Sequence, residues 1–259
     1  MRDQICEIGQ LMRQYNYIDG TSGNISARLD DDHILCTPSG LAKGRMVRDQ
    51  LIVVNMDGKK VGEPTYANAD LHPTSEILMH LECYRQRPDV NGVVHAHPPT
   101  AVALTAAGIS LERPLLAEVV IMLGLVPTAP YATPCGTEDR DSIRELIADH
   151  DAVMLSHHGS LTVGADLWTA YLRLEVLEHF AEVLFKAQQL GGVRALAAER
   201  RRPAGAAASL RLQPAEGRGV VPGILRSGRS GLITTVHVMG NGHRLTAVPF
   251  FVQPSIPSP

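Results

Sequence analysis

The segment Asn91-Gly92-Val93-Val94-His95-Ala96-His97-Pro98 reads as a short buried strand running into a loop, with two apolar β-branched residues before the histidines and a proline stop after them. Side chains two apart on a strand share a face, so His95 and His97 are expected to project together from its end. Neutral imidazoles so placed are ready ligands for a borderline divalent metal, and a zinc site then needs only one or two more donors. Working outward, a nitrogen donor is offered by Ser156-His157-His158-Gly159, which follows the apolar strand pattern Ala152-Val-Met-Leu155. A carboxylate is offered by Glu76, about 20 residues before the pair, which is within reach in a unit where a strand follows a helix.

The stretches upstream look suited to an anion. Ile5, Ile8, Leu11 and Met12 recur at helical spacing over 4–15, an amphipathic opening helix. Asp19-Gly-Thr-Ser-Gly-Asn24-Ile-Ser-Ala-Arg28 is expected to be a loop whose N–H groups can converge on a negative ligand, with Asn24 adding an amide. A strand at His33-Ile-Leu-Cys36 leads into the turn Thr37-Pro-Ser39-Gly40, and Gln50 to Asn55 reads as the next strand. His72-Pro-Thr74-Ser75-Glu76 precedes Ile77, Leu78, Leu81 and Tyr84 at helical spacing; hydroxyls and free N–H groups at such a helix start favour a phosphate. Glu76 is placed in the first turn of that helix.

Downstream, Thr100 to Ala107 reads as a helix, and Leu115 to Leu125 is an apolar run interrupted by Glu118, either a functional acid or a residue at a subunit contact. A loop over Tyr131 to Gly136, a helix over Asp139 to Ile147 and a strand over Leu161 to Val163 follow. Asp166 caps the longest helix, whose stripe is Leu167, Tyr171, Leu174, Leu177, Phe180, Ala181 and Leu184, ended by Gly191-Gly192; His179 within it reads as structural. From about Arg194 alanine, proline, glycine and arginine dominate, so the chain is divided into a catalytic domain over 1–193 and an atypical, poorly ordered tail over 194–259.

Composition excludes several classes. A chain of 259 residues with 44% hydrophobic and 20% charged residues is ordinary for a globular protein, and a net charge of −3 points to neither nucleic acid nor membrane as partner. No apolar run reaches the roughly 18–20 residues of a membrane span, and the N-terminal residues lack a signal peptide's apolar core, so a cytoplasmic location is expected. Cys6, Cys36, Cys83 and Cys135 are scattered without a CxxC spacing and read as reduced, mostly packing residues.

Taken in order, Gly23-Asn24, Thr37-Pro-Ser39-Gly40, Pro73-Thr74-Ser75-Glu76, His95-Ala-His97-Pro and His157-His158-Gly159 resemble the class II aldolase/adducin family, particularly its L-fuculose-1-phosphate aldolase branch, over roughly residues 5 to 190. The resemblance implies a three-layer α/β/α fold with a mainly antiparallel central sheet. It also implies a homotetramer with active sites between subunits. It implies zinc, or another divalent metal, on His95, His97 and His158, the last chosen because the family's third ligand directly precedes the glycine. Gly23, Asn24, Ser39, Gly40, Thr74 and Ser75 fall where the family binds substrate phosphate. Glu76 falls on its acid/base residue, which can contact the metal when substrate is absent; an epimerase relative has aspartate there.

The activity so implied is cleavage of a ketose 1-phosphate, such as L-fuculose 1-phosphate, to dihydroxyacetone phosphate and an aldehyde. Breaking the carbon–carbon bond leaves an enediolate whose charge a cation stabilises, while Glu76 returns the proton. The alternatives are a dehydratase, decarboxylase or epimerase of the same family, or a non-catalytic adducin-like scaffold. The chain departs from the aldolase at Leu116-Ala-Glu118, near the position of a catalytic tyrosine that Glu118 would replace.

Overall fold

The structure is a computed structural model and describes residues 1–196; the sequence-predicted tail lies outside the described residues from 197 onward. Its centre is a seven-stranded sheet in the order β3-β2-β1-β4-β7-β6-β5. The strands are β1 Asn24–Arg28, β2 His33–Cys36, β3 Ile52–Asn55, β4 Gly92–Ala96, β5 Thr128–Ala129, β6 Ala152–Leu155 and β7 Gly159–Gly164. All neighbours pair antiparallel except β5 with β6. The histidine strand β4 therefore lies in the middle of the sheet, flanked by β1 and β7.

Both faces of that sheet are covered, because alternate residues of the inner strands are apolar on each side. On one face, Val93 of β4 packs with Val153 and Val163 against α2 (Ile77–Gln86) and α5 (Thr137–Asp149) through Ile77, Leu81, Ile143 and Ile147. On the other, Val94 packs with Ile25 and Ala27 against α1 (Arg2–Gln14) and the start of α6 (Leu167–Gln189) through Ile5, Ile8, Met12, Tyr171 and Leu174. Beyond them α3 (Pro99–Ala106) and α4 (Ala117–Met122) close over β6 with Leu177, Phe180 and Leu184. The result is the expected α/β/α arrangement of three layers around a mostly antiparallel sheet.

Periodic segments follow their sequence reading closely. The stripe of α6 from Leu167 to Leu184 is buried as read, and the Asp166 side chain accepts the Thr169 N–H at 2.7 Å as its N-cap. Three boundaries differ. Asn24 to Arg28 are not loop but strand, because β1 has β2 and β4 as partners on its two sides. Gln50 belongs to a 3₁₀ turn, so the third strand starts at Ile52. Glu76 sits just before α2 rather than in its first turn, at φ −100° and ψ 20°.

Leu174 of α6 is fully buried against the sheet. Leu174→Ala is expected to lower unfolding free energy by about 2–5 kcal/mol, read as a shifted urea midpoint with an unchanged slope.

Candidate active site

Sheet register assembles the chemistry. Asn24 of β1 is paired with His95 of β4, so their side chains stand next to each other on the α2 face. Across the other flank, β7 begins at Gly159, and a Cβ there would lie 2.4 Å from the Ala96 carbonyl oxygen and within 2.9 Å of the rings of His95 and His97. Only glycine lets the third strand approach so closely. The turn before it holds His157 at φ +57°, exposed to solvent, and directs His158 inward. His95, His97 and His158 thus place one ring nitrogen each within 4.8 Å of one another.

Each ring is prepared to ligate. Nδ1 of His95 lies 3.0 Å from the Ser160 carbonyl, which can only accept, so the proton is on Nδ1 and Nε2 offers a lone pair. Nε2 of His95 is 3.0 Å from Nε2 of His97. Burial holds the His95 imidazole down at about 3 and also lowers His97, keeping both neutral near pH 7. Glu76 closes the group, with Oε2 3.4 Å from His95 Nε2 and Oε1 3.3 Å from His158 Nε2. Burial opposes its ionisation, but the imidazoles of His95, His158 and His80 and a hydrogen bond from Asn24 outweigh it and hold the carboxyl below the usual range. Oε1 is buried with no hydrogen-bond partner, an orphaned acceptor facing imidazole nitrogens. Three nitrogens and this oxygen make a donor set suited to zinc.

In front of the cluster lies a cavity of about 240 Å³ lined by Gly23, Asn24, Ser39, Gly40, Thr74, Ser75, Glu76, His97 and His158, with Lys43, Pro134 and Cys135 at its sides. Every residue assigned from sequence therefore borders one space except His95, which is fully buried behind it. The turns that carry Ser39 and Thr74 are zipped together: Pro38 bridges Pro73, Ser39 N–H donates to the His72 carbonyl, and Thr74 N–H to the Thr37 carbonyl, both at 3.0 Å. Gly23, at φ +70°, turns the chain into β1 where a side chain would strike Ile18. Glu118 is exposed in the first turn of α4 and does not border this cavity.

Three residues were not singled out in the sequence. Lys43 is buried, donates to the Thr21 and Leu41 carbonyls at 2.8 Å each, and borders the cavity; burial lowers it to about 8. Asp139 of α5 is 3% exposed with one oxygen unpartnered, and burial, then the charge of Glu76, raises it to about 6. His80 lies four residues after Glu76, a spacing that puts the two near one helical face and was the signal available. All four cysteines are free; Cys36 and Cys83 are buried as read, whereas Cys135 is exposed at the cavity rim.

The description Class II Aldolase and Adducin N-terminal domain matches residues 3–185. The chain belongs to the class II aldolase and adducin family. Within this family it is 32% identical over 189 residues to the 3-oxo-tetronate 4-phosphate decarboxylase of Escherichia coli K12, covering 71% of this chain and 86% of the relative. It is likewise 32% identical over 178 residues to an L-fuculose phosphate aldolase of Methanococcus maripaludis, covering 68% and 92%. Among solved structures, YgbL of Escherichia coli, described as an aldolase, epimerase or decarboxylase, superposes with TM-score 0.69 at 30% identity over 77% of this chain and 94% of that one. The three-layer sheet architecture is accordingly that of the class II aldolases.

Two outcomes follow from this geometry. Gly159→Ala should weaken divalent-metal uptake roughly 10–100-fold in chelator competition, because the added methyl displaces two of the three imidazoles. Asp139, whose folded value of about 6 exceeds its ordinary 3.8, keeps its proton longer when folded. Stability contributed by that proton is present below about pH 4 and is lost as pH rises to about 6. Asp139→Asn should remove that loss, about 1–3 kcal/mol between metal-free wild type and variant in denaturant titrations at pH 4 and pH 7.

Proposed function

We propose that this chain is a zinc-dependent lyase acting on a phosphorylated sugar or keto acid, and that it releases dihydroxyacetone phosphate. The observation that carries the reading is the unpartnered Oε1 of Glu76, 3.3 Å from His158 Nε2, beside a cavity that the hydroxyl residues Ser39, Thr74 and Ser75 also line. His95, His97 and His158 would hold the metal, with Glu76 as a further ligand when substrate is absent. When bound, a divalent cation supplies charge stabilisation for an enediolate next to the carbonyl carbon.

The remaining work falls to the protein. Ser39, Gly40, Thr74, Ser75 and Gly23 would receive the phosphate, with Asn24 bordering the same cavity and Lys43 supplying positive charge beside it. Anchoring that end orients the reacting carbons toward the histidines. Glu76, ionised at rest, takes up a proton, from the cleaved hydroxyl in the aldolase reading and from water in the decarboxylase reading, and Oε1 delivers it to the carbon from which the departing fragment has left.

The departing fragment separates two readings. A ketose 1-phosphate would lose an aldehyde, as in the L-fuculose phosphate aldolase relatives. A 3-oxo-tetronate 4-phosphate would lose carbon dioxide from the adjacent carbon and leave the same dihydroxyacetone phosphate enediolate. Relatives of both names are 32% identical to this chain, so what sets the decarboxylase reading apart is Glu118, which falls near the position where the aldolase branch has a catalytic tyrosine. Glu118 is exposed in this single chain and would act at a neighbour's site in the homotetramer proposed for this family member. The four free thiols fit a reducing, cytoplasmic setting.

Metal analysis of the purified full chain should return stoichiometric zinc, and triose phosphate should appear from one member of a panel of ketose 1-phosphates and 3-oxo-tetronate 4-phosphate. An aldehyde co-product establishes the aldolase, carbon dioxide the decarboxylase. Metal without either product indicates a dehydratase or epimerase, and a metal-free protein indicates a scaffold. His95→Ala should lose metal and activity together. Glu76→Gln should keep the metal and lose turnover by about 10²–10⁴-fold.

A further inference from the structure

Behind Glu76 runs a line of polar groups that the reaction as described does not use. Asn24 Nδ2 lies 2.6 Å from Glu76 Oε2, and Asn24 Oδ1 lies 2.5 Å from His80 Nε2. His80 Nδ1 lies 2.7 Å from Ser26 Oγ, which lies 2.8 Å from the Tyr84 hydroxyl. His80 and Ser26 are fully buried and Tyr84 is 2% exposed, all three between β1 and α2 where no solvent can substitute for a lost partner. Such a row in a core is costly unless each member is satisfied, and here each is.

The protons in this row can be assigned from one end. An ionised carboxylate only accepts, so the Asn24 amide nitrogen faces Glu76 and its carbonyl faces His80. That carbonyl requires the His80 proton on Nε2, which leaves Nδ1 bare to accept the Ser26 O–H. Ser26 Oγ in turn accepts the Tyr84 O–H. Every donor points toward the carboxylate.

We propose that His80 is a positioning residue for catalysis: through its Nε2–H it locks the Asn24 amide in one orientation, occupies Glu76 Oε2, and leaves Oε1 as the sole proton-transferring oxygen. This rests on the acid/base reading of Glu76. Asn24 is then a residue of two surfaces, bordering the cradle while its amide is committed to Glu76, and His80 acts without touching substrate.

Two measurements decide it. In the purified full chain, ¹⁵N-histidine NMR should show His80 as the neutral Nε2–H tautomer with a strongly downfield ring proton that moves upfield in Asn24→Ala. An Nδ1–H tautomer would overturn the proposal whether or not any variant is active. With the substrate found in the panel above, His80→Leu should lower kcat about 10–100-fold, with KM within about twofold and zinc content unchanged. His80→Gln, which can still donate to Asn24, should recover about tenfold of that loss. A merely structural role predicts equal losses in the two variants, and that result would overturn the proposal. Full turnover in Glu76→Gln would overturn the acid/base reading instead, while the NMR experiment would still decide the direction of the row.

Discussion

Glu76 is ionised although only 7% of its surface is exposed, and keeping a charge there requires partners that no single segment of the chain contains. Asn24 comes from β1, His95 from β4, His158 from the turn before β7 and His80 from α2. A carboxylate without these partners would take up a proton in such surroundings. The register Asn24 to His95 and the approach of Gly159 to Ala96 are therefore conditions on the charge as much as features of the sheet. Residues far apart in sequence are held to one geometry by the requirement that this one group stay paired.

The two halves of the site are built on different parts of the fold. The histidines stand at the ends of central strands whose backbones are bonded on both flanks and whose neighbours Val93 and Val94 are buried on opposite faces. The cradle instead rides on turns, held by the Pro38 to Pro73 bridge and by Lys43 reaching carbonyls of two separate loops. A buried ammonium with its charge partly met by carbonyls is an unusual expense in a core, and this one borders the same cavity as Ser39, Thr74 and Ser75.

Local periodicity made much of this readable in advance. The strand His33–Cys36, the Asp166 cap and the buried stripe of α6 depend on neighbours a few residues away, so the pattern in the sequence is the pattern in the structure. While the choice of His158 over His157 came from the family resemblance, the gathering of His95 and His97 was readable because histidines at a strand end carry both a chemical type and a direction. His80, Ser26 and Tyr84 were not. Ser26 and His80 interrupt apolar patterns within their own elements, and Tyr84 reads only as part of the apolar stripe of α2; the contacts among the three arise only when α2 is laid across β1. Asn24 was misplaced into a loop for a related reason, since its strand is created by partners on either side rather than by its own residue types. Asp139 looked like an ordinary acidic residue of a helix's first turn, whereas its burial depends on how α5 lies in the fold.

The loop carrying Pro134 and Cys135, with exposed Tyr131 before it, borders the cavity from a part of the chain separate from the strands that carry the histidines and from the turns that carry Ser39 and Thr74. Such an arrangement lets descent with modification retailor that loop residue by residue, while the histidines and Glu76 are inherited intact. A family spread across several reactions on sugar phosphates is what this uncoupling would produce over evolutionary time.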